Sequence, residues 1–283
     1  MSVAAPQKTR RMRVADLPPS LLIGGAIIVM WLLLAIFADF AAPYSPIEQD
    51  VPSALQPPSL AHLLGTDNYG RDILSRIIYG ARIDLQIGLF GVLFPFVIGN
   101  VIGMIAGYFG GWVDNVLMRI LEVTIAFPFF VLVIAIISIL GPGLISLYIA
   151  LALVGWVSYA RLTRARVLVL KGDDFVGAAR VLGYSNTRIM LRHLLPNVMG
   201  PVLVIATINL ALAIILEATL SFLGVGLPPT QPSLGTLIDI GQDFLFSGEW
   251  WITIFPGAAL AILVLAVNLL GDWLRDALNP KLR

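Results

Sequence analysis

Six long apolar stretches restrict the fold of this sequence more than any other feature. A helix needs about 20 mainly apolar residues to cross roughly 30 Å of hydrocarbon, and each stretch satisfies this requirement. The sequence therefore predicts an all-α membrane protein with six transmembrane helices. Their approximate ranges are 20–39, 84–107, 115–140, 143–162, 197–220 and 251–271.

Composition supports a membrane protein and excludes several other classes. With 58% hydrophobic and 12% charged residues, the 283-residue chain has too few charges to cover a water-soluble globule of its size. A net charge of +1 argues against a nucleic-acid partner. Cysteine is absent, and the two histidines, His62 and His193, are predicted to lie on opposite sides of the membrane, so no metal site is expected.

The distribution of Lys and Arg predicts the orientation in the membrane. Cytoplasmic segments retain these residues, and 15 of the 18 fall in alternate connections and in the two tails. Both termini are therefore predicted to be cytoplasmic. The predicted division is a tail (1–19), a first helix with an outer amphipathic segment (20–83), a five-helix core (84–271) and a second tail (272–283).

The longest patterned polar connection, 163–196, is predicted to be a cytoplasmic elbow. Asp173 or Asp174 can cap a short helix over 174–182, and Gly183 can end it in the left-handed conformation. The apolar face of this helix comprises Phe175, Ala178, Ala179 and Leu182. Ser185 or Asn186 can cap a second helix, which Pro196 is expected to limit. The alternative is an ordinary amphipathic loop.

The segment 40–82 is predicted to end in an amphipathic helix lying at the outer membrane interface. Thr66 or Asp67 can cap it, and ion pairs among Asp67, Arg71 and Asp72 would brace the outer loop.

The second outer loop, 221–250, contains acids and amides but neither Lys nor Arg. Its length favours a function, either docking of a binding protein or entry of a peptide. The alternative is a solvated cap in which Trp250 and Trp251 anchor the interface.

Polar groups and glycines inside the predicted spans suggest two further features. Glu217 and Asn209 lie about two helical turns apart on nearly the same face, which fits either a translocation path or interhelical hydrogen bonds. Glycines recur through the second span and favour close helix packing over most of its length. They are Gly88, Gly91, Gly99, Gly103 and Gly107.

Enzymatic chemistry is not expected from this chain. None of its three lysines, Lys8, Lys171 and Lys281, follows a glycine, so a P-loop for nucleotide is missing. The sequence also offers no catalytic constellation.

Three motifs resemble those of bacterial ABC-importer permeases. Ala178-Ala179, Gly183, His193, Leu195 and Pro196 are similar to the cytoplasmic "EAA" loop that docks on an ATPase subunit, although Gly177 replaces the acid found there in many members. The run Gly65-Thr66-Asp67-Asn68-Tyr69-Gly70-Arg71-Asp72 looks like the signature of the dipeptide/oligopeptide/nickel branch. The third motif is Glu217-Ala218-Thr219-Leu220-Ser221-Phe222-Leu223-Gly224. The resemblance implies an ATPase-coupling role for Asp174, Phe175, Gly177, Ala178, Ala179, Leu182, Gly183, His193 and Pro196.

This resemblance implies a membrane subunit of an importer for di- or oligopeptides or similar small solutes, with a type I ABC-importer fold. It also implies a second permease chain, two ATPase subunits that bind ATP and Mg, a solute-binding protein, and a place in the bacterial inner membrane. The particular solute is left open. The alternative is a secondary transporter or channel that works without ATPases. Such proteins commonly place buried acids and broken helices at the middle of the membrane, whereas this chain concentrates its patterned polar sequence in the predicted cytoplasmic elbow.

Overall fold

The structure, a computed structural model, describes residues 18–278, and this part of the chain is helical without β-strands. The predicted tail residues 1–17 and 279–283 lie outside the described residues. Eleven α-helices follow one another along the described part. They are α1 Pro19–Ile36, α2 Ala38–Ala41, α3 Ile73–Phe109, α4 Gly111–Ile125, α5 Phe129–Leu140, α6 Leu144–Leu170, α7 Asp174–Val181, α8 Asn186–Arg188, α9 Leu195–Phe222, α10 Leu234–Gln242 and α11 Trp251–Ala277.

Five helices in the described part are long and apolar enough to cross a membrane, and one bent pair of helices passes the same test when the two are taken together. The predicted straight span at 115–140 instead consists of α4 and α5, which are bent by 86°. Pro128 explains the break, because proline disfavours helical geometry at the residue before it. Six spans are therefore present only if the bent pair is one of them.

Helix α3 corrects the prediction of a separate helix at the membrane interface. Residues of the predicted interfacial helix form the first turns of α3, which has 37 residues and a length of about 55 Å. The N-cap is Asp72 rather than Thr66 or Asp67, and its carboxylate accepts a hydrogen bond from the Ser75 amide at 2.8 Å. Because α3 runs through the whole bundle, its two ends lie at opposite ends of the molecule.

Close packing of α3 on α6 confirms the prediction from the glycines. A Cβ atom at Gly99 would lie 2.4 Å from the Trp156 carbonyl oxygen, and one at Gly103 would lie 2.5 Å from that of Ala160. Thr163 on α6 donates a hydrogen bond of 2.6 Å to Asn100 on α3 within this interface. Small residues thus allow the two backbones to approach closely.

Pro196 does not end the helix that follows the elbow, which corrects a second prediction. Helix α8 passes through a π-helical segment, Ile189–Leu194, into α9, and Pro196 occupies the first turn of α9. Pro196 lies just after the π-helical segment and does not interrupt the long helix. Ser185 caps this long helix, as predicted, by accepting from the Arg188 amide at 3.4 Å.

Candidate functional site

The short helix α7 forms at the position that the sequence predicts, and glycine ends it. Asp173 is the N-cap residue, but its side chain makes no capping hydrogen bond. Gly183 has φ of 75°, and the amides of Gly183 and Tyr184 donate to the carbonyls of Arg180 and Ala179. This left-handed residue closes α7 and turns the chain back towards α8.

The faces of α7 differ from the predicted apolar face. Val176 and Ala179 are buried in a cluster with residues of α3, α6 and α9, so Ala179 contacts the chain itself. A bulky residue at Ala179 would therefore disturb internal packing before it reached a partner. The exposed apolar face instead contains Phe175, Ala178, Leu182 and Val181, which is 89% exposed. The sequence reasoning missed Val181, although its spacing of three from Ala178 places it on this face.

Polar contacts fix the elbow to the rest of the bundle. Tyr108 at the end of α3 donates a 2.8 Å hydrogen bond to the Asn186 side chain. Lys171 donates to the Gly107 carbonyl at 2.9 Å, which joins the end of α6 to α3. Arg164 binds both carboxylate oxygens of Asp114, at 2.5 and 2.6 Å. The elbow is therefore held by α3, α4 and α6 together.

The remaining residues of the predicted coupling motif take different positions. Gly177 lies on the exposed side of α7, where an added Cβ atom would meet nothing within 4 Å. His193 lies in the π-helical segment and stacks on Tyr184, with ring centres 5.6 Å apart. The Arg188 guanidinium lies 4.1 Å from the Tyr184 ring centre. His193 thus packs on a residue of the elbow itself and is not part of the exposed face of α7.

A mostly apolar cavity of about 670 Å³ opens at the break between α4 and α5. Helices α3, α6 and α9 complete its walls, and its lining includes Asn209, one of the two residues predicted for a translocation path. The other polar side chains along its lining are Thr124, Ser158, Tyr159 and Arg161. A space with an apolar wall and a few polar groups is typical of a small-molecule site.

Glu217 does not line this cavity. Its side chain is fully buried between α9, α3 and the 221–250 loop. One carboxylate oxygen accepts hydrogen bonds from Ser221 at 2.6 Å and from Ser233 at 2.7 Å. The Glu217 carboxyl group also contacts the side chain of Asp84 on α3, a fully buried acid that sequence reasoning missed. An acid isolated at the start of an apolar stretch was the available signal.

The 221–250 loop contains a helix that the sequence analysis does not predict. This helix is α10, which begins with a capping box formed by Ser233 and Thr236. Leu234 and Leu237 on α10 are buried in the same cluster as the start of α3 and α11. The amide of Leu234 donates to Asp84 at 3.1 Å, so the loop is bound to α3 as well as to α9.

The signature segment forms a buried ionic cluster, in agreement with the predicted brace. Asp67 is the centre: it accepts from the Arg71 side chain at 2.7 Å and also from Arg76. Asp72 binds His62 at 3.0 Å instead of an arginine. Thr66 is fully buried and donates to the Ser53 carbonyl at 2.6 Å.

Two glycines of the signature allow the backbone of this segment to fold back on itself. Gly65 and Gly70 have φ of 81° and 73°, and a Cβ atom at Gly70 would clash with the Asp50 carbonyl. Among residues 18–278, groups of three or more side chains suited to a metal ion are not found.

Family comparisons cover almost the whole chain. Residues 99–283 match the family described as binding-protein-dependent transport system inner membrane component, and residues 19–58 match the N-terminal TM domain of oligopeptide transport permease C. The dipeptide transport system permease protein DppC of Alkalihalophilus pseudofirmus is 41% identical over 93% of this chain and 86% of that protein. The glutathione transport system permease protein GsiD of Pectobacterium atrosepticum is 39% identical over 92% of this chain and 86% of that protein.

Solved structures share the fold at low sequence identity. The inward-facing MetNI methionine ABC transporter has a chain with a TM-score of 0.58 and 22% identity, covering 73% of this chain and 98% of that chain. An amino acid ABC transporter gives a TM-score of 0.52 at 18% identity, covering 72% of this chain and 94% of that chain. The helical core therefore shares its fold with the chains of these ABC transporters.

Proposed function

Because the chain belongs to the family of binding-protein-dependent transport system inner membrane components, we propose that it is a permease subunit that imports peptides and couples to ATPases through α7. Members of this family are non-catalytic membrane subunits of ABC importers. Relatives named for dipeptides, for di- and tripeptides and for glutathione support a small peptide as the solute.

The exposed apolar face of α7 is the observation that carries this proposal. Val181 and Leu182 are 89% and 69% exposed, although α7 lies at the polar end of the bundle beside several arginines. An amphipathic helix of this kind fits a hydrophobic groove on a partner, with side chains three and four residues apart as anchors. A secondary transporter or channel without ATPases would have no use for such a face.

Coupling would then require that α7 moves together with the membrane helices. The internal contacts of Val176 and Ala179 pack α7 against α3, α6 and α9, and the bond from Tyr108 to Asn186 joins the neighbouring α8 to α3. Closure of two ATPase subunits, which bind ATP and Mg, would therefore bias the arrangement of these helices.

The test is Leu182→Asp in the assembled complex with its ATPase subunits. We expect the ATPases to dissociate during purification, with roughly 30-fold weaker binding for the loss of an anchor worth about 2 kcal/mol. Phe246→Asp is the matched control, because Phe246 is 97% exposed at the other end of the bundle. Normal ATPase retention and normal uptake with Leu182→Asp would refute the coupling role of α7.

The cavity at the break between α4 and α5 is the proposed path for the solute. Asn209 and Tyr159 lie on its wall, and amide and hydroxyl groups are suited to the peptide bonds of a passing solute. A second, similar permease chain would close the open side of this path. Glu217 has no part in it, since its carboxyl group is buried against the 221–250 loop.

The proposed orientation places the elbow in the cytoplasm of a bacterial inner membrane and the 221–250 loop outside, facing a solute-binding protein. Reporter fusions test it: one after Lys171 is expected to be cytoplasmic. An external fusion belongs after Ser247, which is exposed, and not at Ser233, which is fully buried. The reverse pattern of reporter activity would overturn the orientation.

A further inference from the structure

Two buried carboxyl groups meet between α3, α9 and the loop that precedes α10. Asp84 and Glu217 both have 0% exposure, and two adjacent residues, Ser233 and Leu234, bind one of them each, which brings the two carboxyl groups together. None of the ion pairs found in residues 18–278 includes either one. The pair is therefore a site of two acids without a basic partner.

The surrounding donors serve only one oxygen of each carboxyl group. Ser221 and Ser233 donate to Oε1 of Glu217, and the Leu234 amide donates to Oδ2 of Asp84. The remaining oxygens, Asp84 Oδ1 and Glu217 Oε2, are buried and have no donor. Ionised carboxylates only accept hydrogen bonds, so two of them cannot bond to each other. A protonated carboxyl group has one O–H that can donate to the other.

We propose that Asp84 and Glu217 share one proton, and that this shared proton holds the 221–250 loop on α3 and α9. Two carboxyl groups in contact cannot both ionise without a large repulsive cost, so one stays protonated. The neutral acid donates to the carboxylate, and the carboxylate keeps its hydroxyl and amide donors. Breaking this bond would separate α3 from α9 at the point where Ser233 and Leu234 bind them.

The backbone of α10 packs closely against both helices at this site. A Cβ atom at Gly235 would lie 2.5 Å from Ala218 Cα, and one at Gly80 would lie 3.2 Å from the Leu234 amide nitrogen. The backbone of α10 thus touches both α9 and α3 directly. Because no side chain lies between these backbones, loss of the hydrogen bond between the two carboxyl groups would loosen the contact of α10 with α3 and α9 directly.

The other titratable groups on the helices that surround Asp84 and Glu217 either bind partners of their own or lie away from this pair. Arg76 binds Asp67, Arg82 binds Asp39, and Asp239 accepts from Gln242. Helix α1 has no titratable residue, and those of α4, of the second half of α6 and of the end of α11 lie towards the elbow. None of the hydrogen bonds found in the described part joins the pair to Tyr148, Tyr159 or Glu249.

Infrared spectroscopy of the assembled importer in a lipid bilayer tests the shared proton. We expect the wild type to show a C=O stretching band of a protonated carboxyl group that shifts in heavy water. The band should disappear in Glu217→Gln and in Asp84→Asn, because each amide supplies the donor and the remaining carboxyl group ionises. Asp239→Asn, which removes a half-buried acid that lies in the same loop and binds Gln242 instead of the pair, should leave the band unchanged.

Several outcomes would overturn the shared proton. A wild type without such a band, or a band that persists in both single variants, would contradict it. Stabilisation of the wild type by Na⁺ or Ca²⁺, lost in the single variants, would assign the site to a cation instead. If one variant fails to assemble, the other and the wild-type spectrum still decide.

Hydrogen exchange tests the consequence for the loop. As the pH rises into the alkaline range, protection factors of the α10 amides in the wild type should fall by about tenfold or more, because ionising both acids breaks a strong buried hydrogen bond. Glu217→Gln and Asp84→Asn should keep their protection over the same range. An identical pH dependence in the wild type and both variants would show that the proton does not hold the loop.

Discussion

Helices α7 and α10 are two short amphipathic helices at opposite ends of the same bundle, and they differ in how the chain completes them. Helix α10 starts with a capping box and buries Leu234 and Leu237 against the bundle. Helix α7 has no side-chain cap and leaves Val181 and Leu182 in solvent. The helices have nine and eight residues, so length does not explain the contrast.

The difference indicates which of the two helices leaves an apolar face free for another protein. At the α10 end, buried acids, hydroxyls and arginines bind one another, and α10 itself packs on α3, α9 and α11. At the α7 end, apolar side chains stay exposed although they cost free energy in water. An exposed apolar face that the fold tolerates marks a surface used for interaction.

The largest effect is expected from Asp67→Asn, which disrupts the buried ionic cluster at the α10 end of the bundle. It leaves the charges of Arg71 and Arg76 buried without their carboxylate, and removing one partner of a buried pair costs about 3–5 kcal/mol. Thermal unfolding of the purified complex measures the loss. The control is Glu122→Gln, whose partner Arg119 is 80% exposed, and which should change stability by less than about 1 kcal/mol. Equal melting temperatures for both variants would contradict a buried ionic centre.

A matched pair of glycine substitutions compares the two helices directly. Gly235→Ala in α10 forces a Cβ atom to within 2.5 Å of Ala218 Cα and should cost about 1–3 kcal/mol. Gly177→Ala in α7 meets nothing within 4 Å and should stabilise the helix by up to about 1 kcal/mol. Chemical denaturation of both variants measures the two changes. If both variants change the free energy of unfolding in the same direction, the proposed difference in packing between α10 and α7 is wrong.

Tyr108→Phe tests how the elbow is attached without changing its packing. It removes only the hydroxyl that donates to Asn186, a loss of about 0.5–1.5 kcal/mol. Hydrogen exchange should become faster in 174–194 and stay unchanged in α10. Tyr44→Phe removes an exposed hydroxyl bond at the opposite end and serves as the control. Faster exchange in α10 with Tyr108→Phe would show that the two ends are not independent.

The smallest effect concerns the titration of Asp239 on α10. Partial burial raises the pKa of Asp239, a hydrogen bond from Gln242 lowers it, and the charge of Asp243 raises it. Since the folded state holds the proton more tightly, stability is greatest below the unfolded pKa and falls as pH rises through the folded pKa. Asp239→Asn should remove this slope in pH-dependent unfolding of the complex. An unchanged slope would place the responsible group elsewhere.

Local sequence patterns predicted several parts of the site correctly. Gly183 ends α7 because glycine enters the left-handed region without steric cost, and Ser185 caps the next helix, as its hydroxyl indicates. The ionic brace around Asp67 was also predicted. Each of these depends on residues within a few positions of one another.

Predictions that depended on distant neighbours were less successful. Ala179 was assigned to the same apolar face of α7 as Phe175, Ala178 and Leu182, but it is buried against α3, α6 and α9, which lie far from it in the sequence. Pro196 was expected to stop a helix, and the π-helical segment before it let the chain continue. The role of Glu217 could not be read without Asp84 and Ser233, which lie on other elements.

The sequence by itself determined the membrane class, the number of apolar stretches, and the places where α7 ends and the next helix begins. Hydropathy and capping are properties of adjacent residues, so they are visible in a linear chain. Only the tertiary structure decided which face of α7 is free and that Asp84 meets Glu217. Burial and the pairing of buried polar groups depend on which helices pack together, and a buried group must find its partner across that packing.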